Sequence, residues 1–326
     1  MRRLNIVLAG VLVAQLLLAG ALLWNTQRYA LVRPGQPLVA FDRNEVDGIV
    51  IDTREEGSIT LQKTGRNWSL PSRAGFPAAQ SKIDSFLATL DDLKPRLPVA
   101  VTADARQRFH VGAKDFERRI TLKHGKDALA TLYLGDSAGP SKVFARAGAG
   151  DAVYEIAFET WQASTRPNQW MNRNLLQQNP NDIVRIDLPS FTLQRKNDKW
   201  QVAGLATDAG TNEQEAGRIV DRLASLTFED TEGKAKKAID GPAPELSYTL
   251  TLKDGRSLKY RFSKTDKGND YLLRTSASDY IFKVSKETVD EIHGFKRDAL
   301  VRKSSKGEAP DKAATTGSAG NADIRS

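Results

Sequence analysis

Apolar and polar residues alternate along Phe191-Thr192-Leu193-Gln194, the pattern of a strand with one buried and one wet face. The polar run Lys196-Asn197-Asp198-Lys199 then turns the chain, and Trp200-Gln201-Val202 returns with the same alternation. The chain carries this pattern twice. The earlier copy is Ile59-Thr60-Leu61-Gln62-Lys63, the turn Thr64-Gly65-Arg66-Asn67, then Trp68-Ser69-Leu70. Each copy predicts a β-hairpin, preceded by an Ile-Asp pair at Ile51-Asp52 or Ile186-Asp187. Tryptophan has the largest apolar side chain, so its recurrence at one point of both hairpins predicts a repeated core anchor at Trp68 and Trp200.

After the first hairpin the apolar period changes. Ile83, Phe86, Leu87, Leu90 and Leu93 recur at helical spacing, with Ser81 the expected N-cap, Asp84 three residues on and Pro95 the stop. Ile219, Val220, Leu223 and Leu226 repeat that stripe in the second half. Strands are expected at Ile120-Thr121-Leu122, Leu129 to Leu134, Val143 to Arg146 and Val153 to Ile156. The second half echoes them with Leu250-Thr251-Leu252 and Ile281 to Val284. The same elements in the same order, offset by about 130 residues, predict an internal duplication with its boundary between Gln178 and Asn181. The expected fold class is therefore α+β: two tandem repeated units, over residues 39–178 and 181–302, each an antiparallel sheet with one amphipathic helix packed on it.

The amino terminus has a different pattern. Residues 1–5 carry Arg2 and Arg3, and Ile6 to Trp24 then run without a charge. As a helix this run rises roughly 28 Å, close to the hydrocarbon thickness of a bilayer. A cleaved signal peptide ending at Ala19-Gly20-Ala21 is the rival reading, but Leu22-Leu23-Trp24 carries the run past that point and favours a retained transmembrane signal anchor over residues 6–24. With Arg2 and Arg3 held inside, the bulk of the chain would lie in the periplasm of a bacterial inner-membrane protein with a single span. Residues 25–38, with Pro34, Gly35 and Pro37, read as a tether, and residues 303–326, almost without apolar side chains, as a disordered tail.

Composition narrows the function classes. The 326-residue chain has no cysteine, which removes disulfide scaffolds, thiol catalysis and thiolate metal sites together. Its net charge is +8, and residues 247–306 hold 14 Lys and Arg against 8 Asp and Glu, so most of the excess is near the carboxyl end. Lys253, Lys259 and Arg261 stand at alternate strand positions with no recognition motif beside them, the pattern of a solvated sheet face and not of a nucleic-acid reader.

The opening Phe41 to Ile49, the hairpin Ile59 to Trp68, the helix Ile83 to Leu93, and Leu134-Gly135-Asp136 ahead of Val143-Phe144-Ala145-Arg146 together resemble the bacterial domain-of-unknown-function 4340 family, over most of residues 38–300 through two copies. His110-Val111-Gly112 departs from the Gly-Leu-Asp-like segment of that family. The resemblance implies a membrane-anchored periplasmic protein, in some bacteria encoded beside an ABC transporter of the gliding-motility type, and implies no catalytic residues.

The residues themselves offer little chemistry. Of three histidines, His124 aligns with Asp254 at a hairpin tip and His293 precedes Gly294 at a helix end, both structural positions. His110 has no such account, and with Asp136 it is what an enzymatic reading would have to use. No catalytic, cofactor or metal site is expected. Trp161, Arg166, Trp170 and Arg173 combine aromatic and arginine side chains as partner interfaces do, but the echo of Arg173-Asn174-Leu175 in Arg297-Asp298-Ala299-Leu300 favours packing at the junction of the two units. The expected function is a membrane-anchored extracytoplasmic accessory or scaffold protein with a protein partner in the inner membrane, among them ABC transporter subunits. A binding module for an envelope glycan or anionic lipid is the alternative, and an uncharacterised envelope enzyme comes third. As anchors, Trp68 and Trp200 should each cost about 3–5 kcal/mol when replaced by alanine, read from urea unfolding of the two variants.

Overall fold

The structure, a computed structural model, describes residues 35–206, 209–235, 241–265 and 270–303, with positions 12 and 15 besides. It is a mixed α+β fold with mostly antiparallel sheets and few helices. Among the described residues no helix is long and apolar enough to cross a membrane. The anchor expected over 6–24, apart from Leu12 and Gln15, and the tail beyond Lys303 lie outside the described residues. Leu38, assigned to the tether by sequence, is buried and donates its N–H to the Leu93 carbonyl, so the packed body already includes it.

The first sheet is built from β1 (Gly48–Thr53), β2 (Ser58–Thr64), β3 (Asn67–Leu70), β4 (Phe76–Pro77), β5 (Arg118–His124), β6 (Asp127–Gly139), β7 (Lys142–Ala147) and β8 (Tyr154–Ala157). Its spatial order is β4-β3-β2-β1-β5-β6-β7-β8. Helices α1 (Gln80–Asp91) and α2 (Ala103–Arg108) fall between β4 and β5 in the chain. The second sheet holds β9 (Ile183–Asp187), β10 (Thr192–Lys196), β11 (Lys199–Val202), β13 (Asp230–Lys234), β14 (Leu246–Leu252), β15 (Ser257–Lys264), β16 (Tyr271–Thr275) and β17 (Ser278–Val284), in the order β11-β10-β9-β14-β15-β16-β17-β13. A small separate pair joins β12 (Ala209–Thr211) to β18 (Val301–Lys303), and the helices of this half are α3 (Glu213–Ala224), α4 (Lys286–His293) and α5 (Arg297–Leu300).

The two sheets share the order of a three-stranded meander, a helix, then a four-stranded meander laid beside the first strand, and differ in β4, which extends the first meander, and β13, which lies beyond β17. The Trp hairpins coincide in detail. Trp68 pairs across the ladder with Lys63 and Trp200 with Arg195, and each cation lies over its ring, at 5.9 Å and 5.7 Å from the centroid. Both rings are buried, at 2% and 7% exposure, so each contributes apolar area first and roughly 0.5–1 kcal/mol of cation–π attraction second. The Ile-Asp pairs coincide less well. Leu193 pairs with Ile186, whereas Leu61 pairs with Ile49 and not with Ile51. The shorter β9–β10 turn causes this two-residue slip, and because strand side chains alternate with period two, the same face stays buried.

Helix α1 buries Ile83, Phe86, Leu87 and Leu90, and α3 buries Ile219, Val220 and Leu223, as their spacing predicts. The N-cap of α1 is Ala79, not Ser81, and no side chain caps it. A tertiary bond sets that end instead: the Ala79 N–H donates to the Trp170 carbonyl at 2.7 Å. Gly294 caps α4 at φ −69°, so no left-handed residue is needed there.

One contiguous apolar core joins the two units. At the junction Phe76 of β4, fully buried, meets Phe228, Tyr280 and Phe282 of the second unit edge-on, with ring centroids 5.5, 4.7 and 6.1 Å away. Arg73 forms a bidentate pair with Asp230, both N···O distances being 3.1 Å, and the Tyr280 hydroxyl donates to the Ala74 carbonyl. The partly exposed ion pair adds about 1 kcal/mol at most, and the buried aromatic contacts several times that.

Parts of the edges of the two large sheets are met by other segments of the chain. At the β4 edge Ala78 bridges to Met171, and beside β8 Ala100 bridges to Val153. On β11 the outward N–H groups of Trp200 and Val202 donate to the Glu213 carboxylate and the Thr211 hydroxyl. Strand β13 lies against the Pro71–Arg73 turn of the first unit, with Gly233 beside Ala74. Partner-strand addition, one use open to antiparallel edges, is therefore opposed at these positions. Replacing Phe76 by alanine should cost about 3–5 kcal/mol and separate the unfolding of the two sheets, which would appear as a lower and broader urea transition.

Candidate functional site

The outer face of the first sheet, turned away from the main core, carries a second small apolar cluster. Tyr133 and Phe144 alternate with the core residues Leu132, Leu134, Val143 and Ala145, so they point outward and meet Ala105, Phe109, Val111 and Val153. Helix α2 starts here, with the Thr102 hydroxyl accepting from the Ala105 N–H, and the chain leaves it through Phe109 and His110. His110 sits at φ +49°, a left-handed conformation unusual outside glycine. The loop that follows closes on itself: Val111 donates to the Arg106 carbonyl and Gly112 to that of Asp115.

Two residues hold this loop against the sheet. Arg146 is buried, donating to the carbonyls of Val111, Ala147 and Gly150, with its guanidinium 4.4 Å from the Tyr133 ring centre. Burial pulls its pKa below the usual arginine value. Gly135 lets the loop cross β6 at van der Waals distance, since a Cβ there would lie 1.8 Å from the Phe109 carbonyl oxygen. Leu134-Gly135-Asp136 and Val143-Phe144-Ala145-Arg146 are therefore the parts that dock one loop.

That docking assembles a charged group. His110 Nδ1 is 3.0 Å from both carboxylate oxygens of Asp136, and its Nε2 is 4.0 Å from Asp115. Arg54, from the β1–β2 turn, reaches Asp115 at 2.7 Å and Glu117 at 3.1 Å. His110, Glu117 and Asp136 each present a ligand atom within 4.8 Å of the others. The hydrogen bond to Asp136 is the main cause that raises the His110 pKa above its ordinary 6.5, with the Asp136 and Asp115 charges adding to it and partial desolvation and Arg54 opposing. Glu117 and Asp136 also line an open cleft of about 480 Å³, with Arg54, Glu56, Arg118 and Lys142 among its walls.

The residues expected to meet a partner separate. Trp161 follows the cleft residues Phe158, Glu159 and Thr160 and is 65% exposed. Arg166 is exposed nearby in sequence. Trp170 does not belong with them: it is fully buried, 5.2 Å from the Phe86 ring with its Nε1–H bonded to the Ser164 carbonyl, and packs beneath α1. Its apolar bulk outweighs any surface role because α1 needs a partner on the sheet. Arg173 lies at the junction, where its Nη1 donates to the Phe228 carbonyl. His124 bonds the Glu45 carbonyl at a hairpin tip, and His293 ends α4. Sequence spacing missed Arg54, which comes from the distant β1–β2 turn, and Asp115 and Glu117, which the loop after His110 folds back toward it. The Gly135-Asp136 step was the one local signal, a glycine without a turn to explain it.

A family model described as a domain of unknown function (DUF4340) matches residues 68–245, more than half of the chain, in one stretch from β3 of the first sheet to the residue before β14 of the second. No curated protein and no solved structure matches the chain.

A histidine whose pKa is raised by folding stabilises the folded state fully below its unfolded pKa, and the contribution is lost as pH rises through the folded one. The His110 ring should accordingly titrate above 6.5 by NMR, and Asp136→Asn should move its midpoint down; an unmoved midpoint would contradict the pairing.

Proposed function

The chain belongs to the DUF4340 family, and on that premise we propose that it is a non-enzymatic, membrane-anchored extracytoplasmic accessory protein that docks on an inner-membrane complex, an ABC transporter of the gliding-motility type. The uncharged run from Ile6 to Trp24 behind Arg2 and Arg3 supports the anchor and the periplasmic side of the body. The observation that carries the docking reading is Trp161. The Trp161 side chain is 65% exposed, and an exposed Trp with an exposed Arg five residues on has the composition of interface hot spots.

A second reading, a module for an anionic envelope glycan or lipid, draws on one observation. Arg261 of β15 pairs across the ladder with Arg274 of β16, and Lys259 of β15 is exposed, so basic residues recur along these strands.

Full-length chain, affinity-purified from detergent-solubilised membranes, should bring down transporter subunits in stoichiometric amount. The double variant Trp161→Ala with Arg166→Glu should weaken that association roughly 30-fold, the size of a single hot spot, with unchanged melting. Recovery of the wild-type chain alone, its amino-terminal segment intact, would sink the docking reading.

A further inference from the structure

We infer that His110, Glu117 and Asp136 form a binding site for a divalent first-row transition cation, with Zn²⁺ the best match to one imidazole nitrogen and two carboxylate oxygens. The inference stands on the side-chain set formed where His110 meets the cleft residues Glu117 and Asp136, and does not rest on partner docking.

Ligand chemistry comes first. Carboxylates alone on a surface are common and say little, but an imidazole among them shifts preference from Ca²⁺ and Mg²⁺, which favour all-oxygen shells, to Zn²⁺ and its neighbours. Geometry follows. Two ligands about 2.1 Å from a tetrahedral Zn²⁺ lie roughly 3.4 Å apart. His110 Nδ1 and the Asp136 oxygens are 3.0 Å apart, so the ion enters between them on an opening of a few tenths of an ångström. Glu117 supplies the third ligand from within 4.8 Å of the other two. Arg54 engages Glu117 through Oε1, which leaves Oε2 for the metal.

Charge balance agrees. Asp115, Glu117 and Asp136 oppose the single guanidinium of Arg54, so with a neutral imidazole the group carries a net charge of −2 that a dication cancels. The framework is in place before binding. Asp136 and Glu117 are tied through their backbone N–H groups to the carbonyls of Phe109 and Leu134, and Gly135 keeps the His110 loop on the strand. Three protein ligands leave a fourth position for water or an anion.

The test uses untagged full-length chain in detergent, titrated calorimetrically with ZnCl₂ and, separately, CaCl₂. One equivalent of Zn²⁺ should bind, and His110→Ala and Glu117→Gln should each weaken it at least about tenfold, while His124→Ala leaves it unchanged. Co²⁺ in its place should give the visible absorption of a four-coordinate site, lost in His110→Ala. Melting curves of the metal-free variants establish that they fold, and Glu117→Gln carries the test if His110→Ala does not. The inference is overturned by no saturable Zn²⁺ binding below about millimolar, by binding that survives both substitutions, or by Ca²⁺ binding as tightly as Zn²⁺. None of these outcomes depends on transporter association.

Discussion

The insertion of Phe76 between Phe228, Tyr280 and Phe282 is the contact on which the rest of the molecule depends. A two-residue strand has almost no ladder of its own, and β4 holds its place because its one large side chain is buried in the other unit. From that point the chain is directed into α1, whose first turn is fixed by the carbonyl of Trp170. The same insertion brings the Pro71–Arg73 turn against β13 and closes an edge that would otherwise be open. Two sheets that could have been separate domains therefore share one core.

On the outer face of the first sheet the controlling constraint is steric. Gly135 admits the Phe109–His110 segment to a distance no side chain would permit, and Arg146 satisfies the carbonyls that the segment turns inward. A buried guanidinium is costly unless its donors find acceptors, and here three backbone oxygens supply them. The result is a rigid loop that aims His110 at Asp136. Helix α2 and this loop have no counterpart among the described residues of the second unit, where residues 235 and 241–245, between β13 and β14, are not helical. The two units share an architecture, and the candidate site belongs to what they do not share.

Alternation and period, read along the chain, were enough for most element types, the α+β class, the burial of Trp68 and Trp200 and the apolar faces of α1 and α3. These are consequences of local geometry: a strand exposes every second side chain, a helix every third or fourth, and neither depends on what lies opposite. The amino-terminal run of apolar residues and the duplicated Trp hairpin are likewise properties of the chain itself. What the tertiary structure alone decided were the relations between distant segments. Trp161 and Trp170 look alike in sequence, yet one is exposed and the other lies under α1, because burial is set by what packs against a residue. The start of α1 came from a bond to Trp170 in place of Ser81. His110, Asp115, Glu117 and Asp136, with Arg54 from another turn, became one charged group only when Gly135 let two segments cross, and no spacing rule along a chain encodes a crossing.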